Sequence, residues 1–210
     1  MHALILVDLQ NDFLPGGALA VPRGDDVIAP ANRAQEDFAL TVATQDWHPA
    51  DHGSFAANRP GGRVGELAEL GGLPQVLWPV HCVQGTRGAE LAAALDRTRI
   101  ARVFPKGTDR AVDSYSGFFD NGRRRATGLG DYLRERGVTA VTIMGLAIDY
   151  CVKATALDAR FLGFRTILRL DGCRGVELAP GDCARAVEQM RAAGVEVSDG
   201  PADGRAERAG

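Results

Sequence analysis

The chain has 210 residues, 45% of them hydrophobic and 24% charged, with a formal net charge of −3. That length suits one domain or a single large core, and the composition is ordinary for a globular protein. The weak net acidity excludes a nucleic-acid or anionic-membrane footprint, and no apolar run reaches the roughly 18 residues of a membrane span. The N-terminus opens directly on the strand-like MHALILVDL, with no separate basic segment or cleavage site, so no secretory signal is read. Four cysteines without a CxxC pair then fit reduced thiols in a cytoplasmic protein better than a disulfide framework or a cysteine-rich zinc site.

In chain order, Ala3–Val7 reads as a buried strand and Ile28–Phe38 as a helix. Strands follow at Phe38–Thr44 and Val76–Trp78, then a short helix at Ala89–Ala94 and a strand at Ile100–Phe104. Gly130–Arg136 reads as helix, Val138–Met144 as strand, Val152–Leu162 as helix and Thr166–Leu170 as strand; a helix at Asp182–Ala193 closes the core. The strand runs are short and rich in Val, Ile and Leu, as a sheet covered on both faces requires. Strands alternating with helices predict an α/β fold of three layers, α/β/α, with a mostly parallel central sheet flanked by helices. One domain over residues 1–198 is expected, with a flexible C-terminal tail over 199–210 that has little to bury. The spacers GGALAVPRGDD, GSFAANRPGGRVG and GFFDNGRRRATG are long for mere connections, which suggests that they build a site. The run Arg123–Arg125 reads as a solvated loop.

Reactive residues gather at the predicted strand ends. Asp8 ends the first strand, Asp46 the second with His48 beyond it, His81 follows the third, Lys106 the fourth and Cys151 the fifth. Ligands of open α/β sheets bind beyond the carboxyl ends of the strands, so these residues are expected to face one crevice. Cys151 stands where a strand ends and a helix begins, a place where the helix's partial positive charge favours thiolate. Asp8 can take the thiol's proton and later deliver it to a leaving group, while Lys106 holds the carboxylate's charge. Asp46, His48, His52 and His81 look like a metal site, since imidazole and carboxylate donors suit zinc, iron or manganese. A D-x-H pair alone is equally a polar loop with satisfied histidines. No GxGxxG follows the first strand, which sets aside a dinucleotide-binding oxidoreductase.

The motifs VDLQNDFLPGGAL, TQDWHPADHGSFA, WPVHCVQGT, FPKGTDRAVDSYSGFFDN, GLAIDYCVKATALDA and DGCRGV resemble, in content and order, those of the isochorismatase-like cysteine hydrolases, and within them the nicotinamidase branch. The resemblance runs from Ala3 to about Val197. It implies a hydrolysis of nicotinamide to nicotinate and ammonia through a cysteine thioester, with pyrazinamide as an analogue and NAD salvage as the setting. Carried over by position, Asp8, Lys106 and Cys151 match the catalytic triad. Asp46, His48 and His81 match the ligands of one divalent metal ion, zinc first, with iron and manganese as alternatives. In some relatives a further histidine joins them, and His52 is the candidate here. Phe13 and Trp78 match aromatic residues that sandwich the pyridine ring, whose nitrogen meets the metal shell, and Tyr115 matches a pocket wall. The Leu146–Ala147 bond matches a cis peptide, and the amides of Ala147 and Cys151 match the oxyanion hole. Arg59 departs from a histidine that relatives often carry. The resemblance leaves a homo-oligomer open. A sibling amidase acting on a carbamoyl or ureido group is the alternative; those branches share the triad but lack the DWHP and WPxHC pairing. An isochorismatase proper does not use a cysteine at the place of Cys151.

Overall fold

The structure, a computed structural model, describes residues 1–200. Of the C-terminal tail expected over 199–210, residues 201–210 lie outside the described residues. Eight strands are found among the described residues. Six of them, β1 (His2–Val7), β2 (Leu40–Asp46), β5 (Ile100–Lys106), β6 (Ala140–Leu146), β7 (Arg165–Arg174) and β8 (Glu196–Ser198), form one sheet in the order β5-β2-β1-β6-β7-β8. Every pairing in that sheet is parallel. The two innermost strands carry near-continuous apolar runs: Ala3 to Val7 in β1 and Val141, Ile143 and Met144 in β6 are all buried. Helices α1 (Ile28–Ala34), α2 (Leu129–Glu135), α3 (Lys153–Phe161) and α4 (Asp182–Ala192) cover the sheet. Right-handed crossovers place α1, which leads from β1 toward one edge, on the face opposite α3 and α4, which lead toward the other. The three-layer architecture is the one expected.

The chain's path reverses between β1 and β6. β1 connects outward to β2, and β6 connects outward to β7 on the other side. Their carboxyl ends therefore part to leave a crevice at the topological switch point. Asp8 follows β1 there, with φ of 51°, and the chain beyond β6 turns into a wide helical turn, Ile148–Val152, that runs straight into α3. Gly145, in register with Val7, makes this approach possible: its φ is 135°, and a Cβ would stand 2.1 Å from the Val7 carbonyl oxygen.

Two expected elements differ. Val76–Trp78 is not a strand of the central sheet. Leu67–Leu70 (β3) and Leu73–Val76 (β4) instead form a separate antiparallel hairpin, turned by Gly71 and Gly72 at φ of 59° and 79°. Both left-handed residues are what a tight two-residue hairpin turn requires. His81 thus reaches the crevice from a loop rather than from a sheet strand. Ala89–Ala94 is not a helix: a single tight turn, Arg87–Ala89, gives way to extended backbone at Glu90, where Leu91 bridges Gln10 and the Ala92 N–H donates to Leu9 O at 2.8 Å in place of helical hydrogen bonds.

Candidate active site

Lys106 is the centre of the crevice. It ends β5 in register with Asp46, the last residue of β2, and its side chain is wholly buried. Its Nζ lies 2.5 Å from Asp46 Oδ1, 2.9 Å from Asp8 Oδ2, 2.9 Å from the Ser114 carbonyl oxygen and 3.4 Å from Cys151 Sγ. Asp8, Lys106 and Cys151 are thereby brought together as expected, and Asp46 joins them. Thr44, two residues before the end of β2, donates to Asp8 Oδ1 at 2.6 Å. Asp8 Oδ2 stands 2.9 Å from the ammonium, and the same carboxyl is a hydrogen-bond partner of the Cys151 thiol.

Burial and charge set the protonation of this group. Burial pushes Asp8 up to about 6, with Asp46 adding to the rise and Lys106 and Thr44 opposing it. Burial would raise Asp46 as well, but Lys106, His48 and His81 together hold it well below the usual carboxylate range. Burial disfavours the Lys106 cation, yet Asp46 and Asp8 more than offset this and lift it well above its ordinary value. Cys151 corrects the expectation from the helix end. Burial raises its thiol well above the ordinary range, Asp8 and Asp46 add to that, and Lys106 only partly opposes them. Desolvation of an anion outweighs the fractional charge of a helix terminus.

A second cluster adjoins the first. One donor atom each from Asp46, His48 and His81 lies within 4.8 Å of the others, and all three residues are buried. Each histidine is oriented by a backbone carbonyl: His48 Nδ1–H donates to Gly107 O at 2.9 Å, and His81 Nδ1–H to Pro79 O at 2.8 Å. The two Nε2 atoms stand 3.6 Å and 3.9 Å from Asp46 Oδ2 and carry lone pairs when the rings are neutral. Gly107 is required here, since a Cβ on it would meet the His48 ring at 2.3 Å. Carbonyl-oriented histidines beside a carboxylate are the donor set of a divalent metal site with open positions. Burial, with His48 nearby, lowers His81 to about 4, which keeps it neutral and able to ligate. His52 differs. Its Nδ1 takes hydrogen bonds from Ser54, at 2.7 Å to the hydroxyl and 3.2 Å to the backbone N–H. With Nδ1 accepting, the neutral ring carries its proton on Nε2. Although His52, His48 and Asp113 also lie within 4.8 Å, His52 presents an N–H there and not a lone pair.

A pocket opens over both clusters. Phe13, Trp78 and Tyr115 line it with Asp46, His48, His81, Ala147 and Cys151, as expected, and with Leu19, Asp113, Tyr150 and Val176, which the sequence analysis did not single out. The Leu146–Ala147 bond is cis. Trp78 packs edge-on against Tyr150 at 4.9 Å between ring centroids. Gln10 was also missed. It is fully buried and pairs with the backbone of Asp46 through both ends of its amide, at 2.8 Å each, as an extra strand would. A glutamine following a strand-ending aspartate gives no signal of that pairing. The signal that could have found Tyr150 is its place beside Cys151. Arg59 donates to Gly53 O and Glu69 O and so ties the loop after His52 to the hairpin.

The profile of the isochorismatase domain matches residues 2–201. The chain is 53% identical over 200 residues to a nicotinamidase of Escherichia coli, covering 93% of each protein. Among solved structures it resembles the Acinetobacter baumanii nicotinamidase/pyrazinamidase, with a TM-score of 0.91, 44% identity and coverage of 93% of this chain and 94% of that one. It also resembles the pyrazinamidase of Pyrococcus horikoshii in complex with zinc, with a TM-score of 0.77, 40% identity and coverage of 94% and 98%.

Proposed function

The chain belongs to the isochorismatase family, and we infer from that membership and from its site that it is an amidohydrolase splitting nicotinamide into nicotinate and ammonia, a reaction that serves NAD salvage. Pyrazinamide, a carboxamide on the same kind of flat nitrogen ring, fits the same pocket chemistry. The observation that carries the mechanism is the single ammonium of Lys106, within 2.9 Å of Asp8 and 3.4 Å of Cys151.

The substrate ring lies between Phe13 and Trp78, with Tyr115 as a wall, and presents its carboxamide carbon to Cys151 Sγ. Asp8 Oδ2 takes the thiol proton as the sulfur attacks, forming a tetrahedral adduct. Lys106 stabilises the anionic charge that passes between sulfur and carboxylate. The backbone amides of Ala147 and Cys151 donate to the oxyanion; one such donor is worth about 3 kcal/mol of barrier. Protonated Asp8 then gives its proton to the departing ammonia, leaving a thioester. Asp8 draws a proton from water, and the hydroxide equivalent releases nicotinate and the thiol. Asp46, His48 and His81 fit a divalent metal, zinc first with iron or manganese as alternatives, which would supply Lewis acidity and orient the ring nitrogen. The four unpaired thiols support a cytoplasmic setting.

Ammonia release from nicotinamide by the purified, metal-replete protein is the test. The unaltered protein is expected to release it, and Cys151→Ala to release none while keeping its fold. Near-normal turnover by Cys151→Ala would end the thioester mechanism. No release by the unaltered protein would redirect the assignment to carbamoyl or ureido substrates.

A further inference from the structure

Gln75 lies outside the main sheet, on β4 of the small hairpin, yet it is buried to 2% exposure. Its amide nitrogen reaches three acceptors: Val76 O at 2.8 Å, Asp113 Oδ2 at 2.8 Å and Tyr115 Oη at 3.0 Å. Two hydrogens serve these three, so one is shared. Trp78 Nε1 also donates to Tyr115 Oη, at 3.1 Å. The phenol oxygen thus accepts from two N–H groups. An oxygen whose lone pairs are engaged in this way has its own proton turned elsewhere, and that proton has no acceptor among the described residues. Tyr115 and Trp78 both line the pocket.

Resting on the amidase assignment above, we propose that Gln75 is a positioning residue for substrate recognition: through the Tyr115 hydroxyl it locks Tyr115 and Trp78 into one rigid wall and turns the phenol proton toward the bound heteroaromatic carboxamide. Gln75 itself touches neither substrate nor the reacting atoms. A fixed wall lowers the ordering cost of binding and leaves the bond-making at Cys151 alone. Removing it therefore raises KM and spares kcat, because the interaction is the same in ground and transition states.

The experiment is a double-substitution cycle on the metal-replete enzyme, with kcat and KM for nicotinamide measured for the unaltered protein, Gln75→Leu, Tyr115→Phe and the pair together. Each single variant is expected to raise KM by about three- to tenfold with kcat within about twofold, and the pair to be no worse than Tyr115→Phe. Additive losses would place the action of Gln75 at Asp113 instead and overturn the proposal, as would a fall in kcat at unchanged KM. Should Gln75→Leu fail to fold, since it strips Asp113 of a buried donor, Tyr115→Phe decides alone: it keeps the ring, and an unchanged KM overturns the proposal. Absence of turnover in the unaltered protein would sink the amidase assignment and this inference with it; turnover there with a flat cycle sinks the inference only.

Discussion

Replacing Lys106 with methionine keeps most of the side chain's volume and removes one charge from between two buried carboxylates. The ammonium stands 2.9 Å from Asp8 Oδ2 and 2.5 Å from Asp46 Oδ1. At an effective dielectric of about 20, a unit pair at the Asp8 spacing is worth about 6 kcal/mol, roughly four pH units. Water entering the vacated space and proton sharing with Asp46 recover part of this, so a rise of about two units in Asp8 is expected. The direction follows from Asp8 itself: burial already raises it to about 6, and Lys106 is the strongest influence holding it down. In the variant, the fraction of ionised Asp8 at pH 7 falls from about 90% to about 10%. The acid limb of kcat/KM should therefore move about two units to higher pH. Ammonia release across pH 5–9 measures it. Stripping one partner from a buried charge cluster also costs about 3 kcal/mol of stability, which for a chain of this size lowers Tm by about 10 °C; assays belong well below that. A folded variant whose acid limb stays in place would refute the assignment of Asp8 as base and Lys106 as the group that sets it.

Thr44→Val removes the hydroxyl that donates to Asp8 Oδ1 at nearly constant volume. Losing that influence raises Asp8, so the acid limb should shift upward by about one unit and kcat/KM should fall about tenfold below pH 6 while recovering near pH 9; a uniform loss at all pH values would instead indicate a packing defect. His48→Ala takes a carbonyl-oriented donor from the Asp46, His48 and His81 cluster. Elemental analysis should show metal content reduced more than tenfold, and full occupancy would contradict that ligand set.

The fold was legible because a parallel sheet buried on both faces writes its strands as plain apolar runs. Ala3–Val7 and Val138–Met144 are the central strands, and their identity alone places the crevice. The outer pieces were less legible for physical reasons. Val76–Trp78 is apolar because Leu77 and Trp78 are buried, Trp78 against the pocket, and apolarity does not tell a sheet strand from a buried loop. The Gly-Gly turn at Gly71–Gly72, between Leu67–Leu70 and Leu73–Val76, carried the hairpin signal, but the glycine-rich stretch before it reads as linker. At the site, the residues whose chemistry stands alone were visible: Asp8, Asp46, His48, His81, Lys106 and Cys151. Those that act by holding others were not. Gln10, Thr44, Gln75 and Asp113 are polar side chains with no distinctive spacing, and their roles depend on partners 36 to 79 positions away that only the folded chain brings near.

The protonation of Cys151 bears on how the reaction must proceed. With the thiol held well above its ordinary range by burial and Asp8 at about 6, moving the proton from sulfur to carboxylate is uphill in the resting site. That direction leaves little room for a free thiolate waiting for substrate. Lys106, 3.4 Å from Sγ and 2.9 Å from Asp8, keeps the two sites at constant electrostatic distance from one cation while the proton crosses. The sulfur's negative charge then needs to exist only as the carbon–sulfur bond forms, when the oxyanion donors begin to share it. A resting thiol of this kind is a poor target for oxidants and alkylating agents, which attack thiolates. The burial that makes Cys151 a reluctant acid is thus what lets a nucleophile persist beside a buried carboxylate, and its reactivity is conferred by the bound amide.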